Sequence, residues 1–227
     1  LHHVREIMDE VFGAENFCSV ITVKKTGGQT SELLPRVADY LVWYAKAGKA
    51  VKYRQLYFVK EVGVGDGSGA RYDQIESGDG RRRAMTREEK IDPTSLPVSA
   101  RPYQLTSLIS AGFREQTTVE FSFRQKVFHP GINSNWKTHL TGMERLARVN
   151  RIADRAATVA YVRYLADFPA YPVTGIWEDV AGAVDKTYVV QTSNSIVERC
   201  LLMTTDPGDL VLDPTCGSGT TAFVAEK

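Results

Sequence analysis

Residues Asp209 to Thr221, reading DLVLDPTCGSGTT, constrain this chain more than any other segment. Three apolar residues run from Leu210 to Leu212, followed by Asp213-Pro214. Two glycines then flank one serine, and small hydroxyl residues follow. The pattern predicts a buried strand over Asp209–Leu212, a tight turn, and a helix from Thr220. An α/β fold places a small nucleotide-like ligand over a sheet end by this arrangement. The sequence stops six residues later, at Lys227. The sheet this strand would join is therefore expected to be incomplete here.

A ligand approaches backbone closely only where Cβ is missing, and Gly217 and Gly219 meet that need. Asp213, at the end of the expected strand, brings a carboxylate to the same place. A carboxylate for an ammonium and backbone N–H groups for a carboxylate would suit a zwitterion. The amino-acid end of S-adenosylmethionine is such a group. Gly217-x-Gly219-x-x-Ala222 also matches the dinucleotide fingerprint, whose acidic residue some 20 positions on would fall beyond Lys227. A phosphate-binding P-loop is excluded, because Thr220 stands where its lysine should be. A plain strand–turn–helix without ligand is the remaining reading.

The rest of the chain sets bounds. Its 227 residues and 43% hydrophobic content allow a packed core. The net charge of +1 makes any contact with a polyanion a local matter. Cys18, Cys200 and Cys216 are odd in number and lack metal-type spacing, so no metal is expected and a reduced, cytoplasmic setting is. No apolar run approaches the roughly 18 residues of a membrane span, and no signal peptide is visible. Leu1, Val4, Ile7, Met8, Val11 and Phe12 fall on one helical face from the first residue. That uncapped start suggests an internal piece of something longer.

Phe17–Val23 is β-branched and reads as a strand. Lys24–Thr30 reads as a basic loop, and Asp39–Ala45 as a strand that is apolar on both faces and hence central. From Lys49 to Ala170 the sequence turns polar, as in an inserted subdomain. Within it, Gly63–Gly69 reads as a loop, Arg81-Arg82-Arg83 as a basic run, and Thr86 to Glu89 as a capping box. Val119–Phe123 reads as a strand, Lys126–Trp136 as strand and turn, and Thr141–Ile152 as a helix. Ser195 and Glu198 form a second expected capping box. Ile196, Val197, Cys200, Leu201 and Thr204 line the helix that follows. Trp136, Trp177, Cys18 and Cys200 read as packing residues, Cys216 as a small packing residue beside the turn, and His2 and His3 as surface.

With these residues in hand, the chain resembles the amino-methylating DNA methyltransferases of the permuted (β) class, which includes the modification subunits of type III restriction systems. Asp206–Glu226 (DPGDLVLDPTCGSGTTAFVAE) is similar to the family's cofactor motif, and Val189–Thr205 to the motif and helix before it. Ala38–Lys46 resembles the strand preceding the recognition insertion, and His2–Phe17 the helix after the catalytic loop. The resemblance implies an α/β fold: an incomplete Rossmann-like, S-adenosylmethionine-dependent methyltransferase fold with an inserted α+β target-recognition region. Residues 1–48 would close the catalytic half, 49–170 form the insertion, and 171–227 begin the cofactor half.

It also implies methyl transfer to an exocyclic amine, with adenine expected ahead of cytosine. Asp213, Pro214, Thr215, Cys216, Gly217, Ser218 and Gly219, with Gln191 and Thr192, would hold the cofactor. Lys24, Lys25, Arg81, Arg82, Arg83 and Arg124 are the candidate contacts to double-stranded DNA. A second copy of the chain and a restriction subunit stay open as partners. There are departures. Thr215 stands where the family has an aromatic, and no lysine lies near Ser195. None of the nine prolines forms the Pro-Pro pair of the family's catalytic loop. No catalytic residue is assigned, and residues 1–227 alone are expected to be inactive. A nicotinamide-dependent Rossmann oxidoreductase and a non-catalytic DNA-recognition module are the competing functions.

Overall fold

The computed structural model describes residues 1–25, 30–63, 69–180 and 191–227. Most of the basic loop Lys24–Thr30, the loop Gly63–Gly69 and the pair Val189-Val190 lie outside the described residues. The fold is mixed α/β and divides into two compact units, Leu1–Phe58 with Pro172–Lys227, and Val59–Tyr171.

In the first unit, helix His2–Phe12 stops at Gly13, which has φ +86. The helix buries none of its residues, so its apolar stripe of Val4, Ile7 and Val11 stays exposed. A three-stranded sheet follows in the order Ile176–Trp177, Phe17–Lys24, Ala38–Tyr44. Phe17–Lys24 is the middle strand and Ala38–Tyr44 is at the edge, a correction to the expected centrality of the latter. The β-branched run bonds on both sides: antiparallel to Ala38–Tyr44 (Val20 opposite Val42) and parallel to Ile176–Trp177 (Thr22 opposite Ile176). The aromatics of Ala38–Tyr44 instead serve its half-covered faces, where Tyr40 stays exposed. Ile21, Val23, Trp177, Val180 and Met203 form the core, with Ile196 and Cys200 packed on it. Trp177 is buried, and its Nε1 donates to Thr174 O at 2.8 Å.

Helix Asn194–Thr204 is capped at Ser193, with no side-chain cap bond. The Ser195–Glu198 box therefore does not form: the N-cap is Ser193, two residues before the one that pairing needs. Asp209–Leu212 is not a strand. Leu210 and Leu212 are 96% and 83% exposed, and no described strand lies beside them. An extended apolar segment becomes a strand only when a neighbour satisfies its backbone and covers its side chains.

The second unit is built on an antiparallel five-stranded sheet. Its order is Ile152–Arg155, Thr158–Tyr164, Arg101–Ser107, Gln74–Glu76, Arg82–Ala84. A second core packs Trp136, Met143, Ile152, Val159, Phe121 and Phe128 together. Helix Leu140–Arg148 supplies Met143 and ends four residues before the expected limit, because Ile152 opens a strand. Val119 likewise precedes its strand, which runs Phe121–Phe123.

The capping box at Thr86 forms: Thr86 Oγ1 accepts from Glu89 N at 3.2 Å, and Glu89 Oε2 from Thr86 N at 2.8 Å. Arg83 donates two bonds of 2.7 Å to the same carboxylate. The guanidinium, with the Thr86 N–H, lowers the Glu89 pKa from 4.5 to about 2. A depressed carboxylate stabilises the fold above its unfolded pKa and loses that effect as pH falls through the folded value. Acid unfolding followed by circular dichroism should show this contribution disappearing between pH 4.5 and about 2. Glu89→Gln should lower stability at neutral pH and give a shallower acid limb.

Candidate functional site

The expected ligand turn is anchored through the residues before it. Arg54 donates from Nη1 to Leu202 O at 3.0 Å and Thr205 O at 2.8 Å, and its N–H bonds Met203 O at 2.8 Å. These are the orphan carbonyls of the helix end, where a cation is favoured. Arg54 also pairs with Asp206, and Lys52 bridges Asp206 at 2.7 Å and Asp209 at 2.5 Å. The loop from Thr205 to Asp209 is thus tied to residues 52–54, which follow the edge strand.

The turn itself is organised by Asp213. Its Oδ1 accepts from Thr215 N at 3.1 Å, Thr215 Oγ1 at 3.0 Å and Cys216 N at 2.9 Å. Its Oδ2 accepts from Thr221 Oγ1 at 2.7 Å. These bonds, Thr221's first, pull the carboxyl pKa from 3.8 to about 2. A carboxylate offers about four lone-pair sites over two oxygens, so Oδ2 keeps room for a further donor. The chain reverses through left-handed Cys216 (φ 43), Gly217 (φ 52) and Gly219 (φ 77). Gly219 caps helix Thr220–Glu226, and a Cβ there would meet open space, so φ and not crowding demands glycine. Cys216 is exposed, which corrects its reading as a packing residue: the turn bulges away from the core.

Thr192, Val197, Asp213, Thr215, Cys216, Gly217, Ser218, Thr220 and Thr221 line one hollow of about 300 Å³. Six of the residues singled out from sequence meet there: Thr192, Asp213, Thr215, Cys216, Gly217 and Ser218. Pro214 and Gly219 shape the turn without lining it, and half-buried Gln191 does not line it either. Val197, Thr220 and Thr221 were not singled out. Thr221 could have been, since a hydroxyl eight residues after an aspartate across a tight turn can return to its carboxylate. A larger cavity of about 670 Å³ lies against the edge strand, lined by residues such as Val4, Phe12, Leu41, Trp43 and Met203. It is apolar and lacks convergent charged groups, whereas the small hollow holds an ionised carboxylate.

The candidate DNA contacts scatter. Lys24 pairs with Glu178 at 3.3 Å and Lys25 with Asp39 at 2.9 Å, both at the exposed end of the central strand. Arg81 is exposed and lies 3.3 Å from Asp79. Arg82 is committed internally: Nε meets Glu76 at 2.7 Å, and Nη2 meets Asn150 O at 2.6 Å and Tyr164 Oη at 3.1 Å. Arg83 holds Glu89 with both terminal nitrogens. Two arginines of the basic run are therefore structural in large part. Arg124 is exposed at a hairpin tip. Charge is uneven: residues 59–171 carry 17 basic and 13 acidic side chains, the remainder 11 and 14. The inserted unit is thus net +4 and the rest net −3. Among the described residues no group of three His, Cys, Asp or Glu could hold a metal, and no helix is long and apolar enough to cross a membrane.

An aspartate-ordered glycine turn thus lines a small polar hollow, and the unit Val59–Tyr171 carries the chain's net positive charge. A family model described as DNA methylase matches residues 1–227, and the chain belongs to that family. It is similar to the Type II methyltransferase M.EcaI of Enterobacter cloacae, at 23% identity over 239 residues. That alignment spans 99% of this chain and 45% of the relative, so the chain covers about half of that protein's length.

Proposed function

We propose that the protein is a site-specific DNA methyltransferase that takes its methyl group from S-adenosylmethionine and places it on an exocyclic amine, adenine's ahead of cytosine's. The observation that carries this reading is the hollow at the turn, where Asp213 and the glycine loop meet Thr192. The residues suit the amino-acid end of the donor. Asp213 Oδ2 has capacity for an ammonium, and the Ser218 N–H, without a partner among the described residues, can meet a carboxylate. Thr192 lines the hollow from the segment before the helix, with Gln191 next to it in the chain, and Pro214, Gly217 and Gly219 hold the curve. The bound donor would supply an electrophilic methyl group. The target base must leave the duplex to receive it.

Residues 1–48 and 171–227 act in this reading as parts of the methyltransferase, and 49–170 as the recognition insertion. The compact unit Val59–Tyr171 and its net positive charge support that division. Lys24, Lys25, Arg81 and Arg124 are the phosphate-contact candidates with exposed cationic groups, and Arg82 and Arg83 chiefly hold the insertion's own fold. No catalytic residue is proposed, since the 227 residues contain no Pro-Pro-aromatic sequence.

A nicotinamide oxidoreductase would use the same turn, through its match to the dinucleotide fingerprint. Titration calorimetry of the protein with S-adenosylmethionine and with NAD separates the two. Binding of the methyl donor and none of NAD is expected. The reverse would overturn the proposal.

A further inference from the structure

Strands Phe121–Phe123 and Lys126–Phe128 form a hairpin with Phe123 opposite Lys126, so its loop is only Arg124-Gln125. Both loop residues are left-handed, with φ 49 and φ 64. Such two-residue loops favour Asn-Gly or Gly-Gly, because a side chain at positive φ crowds the backbone. Arginine and glutamine have neither glycine's freedom nor asparagine's local bonding. Folding alone gives no reason for either residue there.

The root of the hairpin is firm and its tip is free. Phe121 and Phe128 are each 4% exposed within the core cluster that holds Trp136 and Met143. Arg124 and Gln125 are exposed. Among the described residues neither side chain has a hydrogen bond or ion pair. The Arg124 guanidinium lies only 5.2 Å from the Phe123 ring centroid. Arg82, Arg83, Arg101 and Arg151 of this unit are by contrast bound to carboxylates, and of the arginines that are not, Arg124 is the one at a hairpin tip with positive φ among the described residues.

We propose that the Arg124-Gln125 tip is a base-reading element that enters the major groove of duplex DNA and fixes the identity of adjacent base pairs in the recognition site. A two-stranded ribbon fits that groove, arginine pairs bidentately with guanine O6 and N7, and glutamine with adenine N6 and N7. The unit's net charge of +4 brings it to the phosphates. This rests on the DNA reading above, and it assigns Arg124 to a base edge rather than to a phosphate.

The test is selection of bound duplexes from a randomised library by the unsubstituted protein, by Arg124→Ala, by Gln125→Ala, and by Arg124→Asn combined with Gln125→Gly. The double variant installs the pair that this turn prefers, so its thermal midpoint should be equal or higher. Each single variant should lose roughly ten-fold or more of its preference at one base pair, with the others kept. The double variant should lose both preferences. Unchanged preferences in the folded double variant would overturn the proposal. So would a weakening uniform across sequences with a salt dependence reduced by about one ion, which marks a phosphate contact. Failure of the unsubstituted protein to bind any duplex would remove the DNA reading itself, and this inference with it.

Discussion

Asp213→Ala should weaken S-adenosylmethionine binding by on the order of a hundred-fold, with the protein still folded. Two losses combine. The four hydrogen bonds that order Thr215, Cys216 and Thr221 disappear together. The free acceptor site of Oδ2, the candidate partner for an ammonium, goes with them. Asp213→Asn separates the two effects. Its amide oxygen can still accept from the Thr215 and Cys216 N–H groups, so the turn should persist while the charge is lost. Affinity should fall between the unsubstituted protein and the alanine variant. With a pKa of about 2, Asp213 stays ionised at any working pH, so it should add no pH dependence to donor binding near neutrality. Calorimetry on the three proteins reads all of this. Full affinity in Asp213→Ala would remove Asp213 from the site.

Glu76→Ala should destabilise the protein by about 3 kcal/mol, read from urea unfolding at neutral pH. Glu76 is 7% exposed, and Arg82, Arg101 and the Tyr164 hydroxyl all converge on it, at 2.7, 3.4 and 2.5 Å. Burial raises its pKa, but the Tyr164 hydroxyl and the two arginines outweigh that and leave it lowered overall. Removing the carboxylate leaves Arg82, whose side chain is only 17% exposed, with two neutral partners, Asn150 O and the Tyr164 hydroxyl, and no counter-ion. A buried charge that has lost its counter-ion costs far more than the bridge contributes. Glu76→Gln, whose amide oxygen can still accept from Arg82 and the Tyr164 hydroxyl but whose amide nitrogen cannot accept from Arg101, should cost less. A change below about 0.5 kcal/mol for the alanine variant, the level of an ordinary surface substitution, would mean the network is not holding the sheet.

The difference between these two sites shows what could be read from sequence. The turn was legible because its chemistry is local: the Asp213 carboxylate meets groups two, three and eight residues on, and Gly217 and Gly219 act through their own backbone. The strand expected before it was not formed, because strand formation depends on partners elsewhere. The Glu76 network was illegible. It joins positions 76, 82, 101 and 164, and its members look like solvated charges until a sheet sets them side by side. Two strands at the centre of that sheet, Arg101–Ser107 and Thr158–Tyr164, were missed for a related reason. Pro102, Arg101 and Arg163 blurred the apolar signal, although Val162 and Tyr164 alternate inward as a half-buried strand requires. Trp136 and Trp177 were legible as packing residues, since a large apolar ring is buried wherever a core exists.

The most direct measurement is transfer of a labelled methyl group from S-adenosylmethionine to duplex DNA by a protein that carries these residues together with a Pro-Pro-aromatic catalytic loop, with the product digested to nucleosides and residues 1–227 alone, expected to leave DNA unlabelled, as the comparison. Label on the exocyclic amine of one base, adenine expected, confined to a defined sequence and lost in Asp213→Ala, is the predicted result. Label on a ring carbon, or a loop-bearing protein that binds the donor tightly and leaves DNA unlabelled under every condition, would contradict the account.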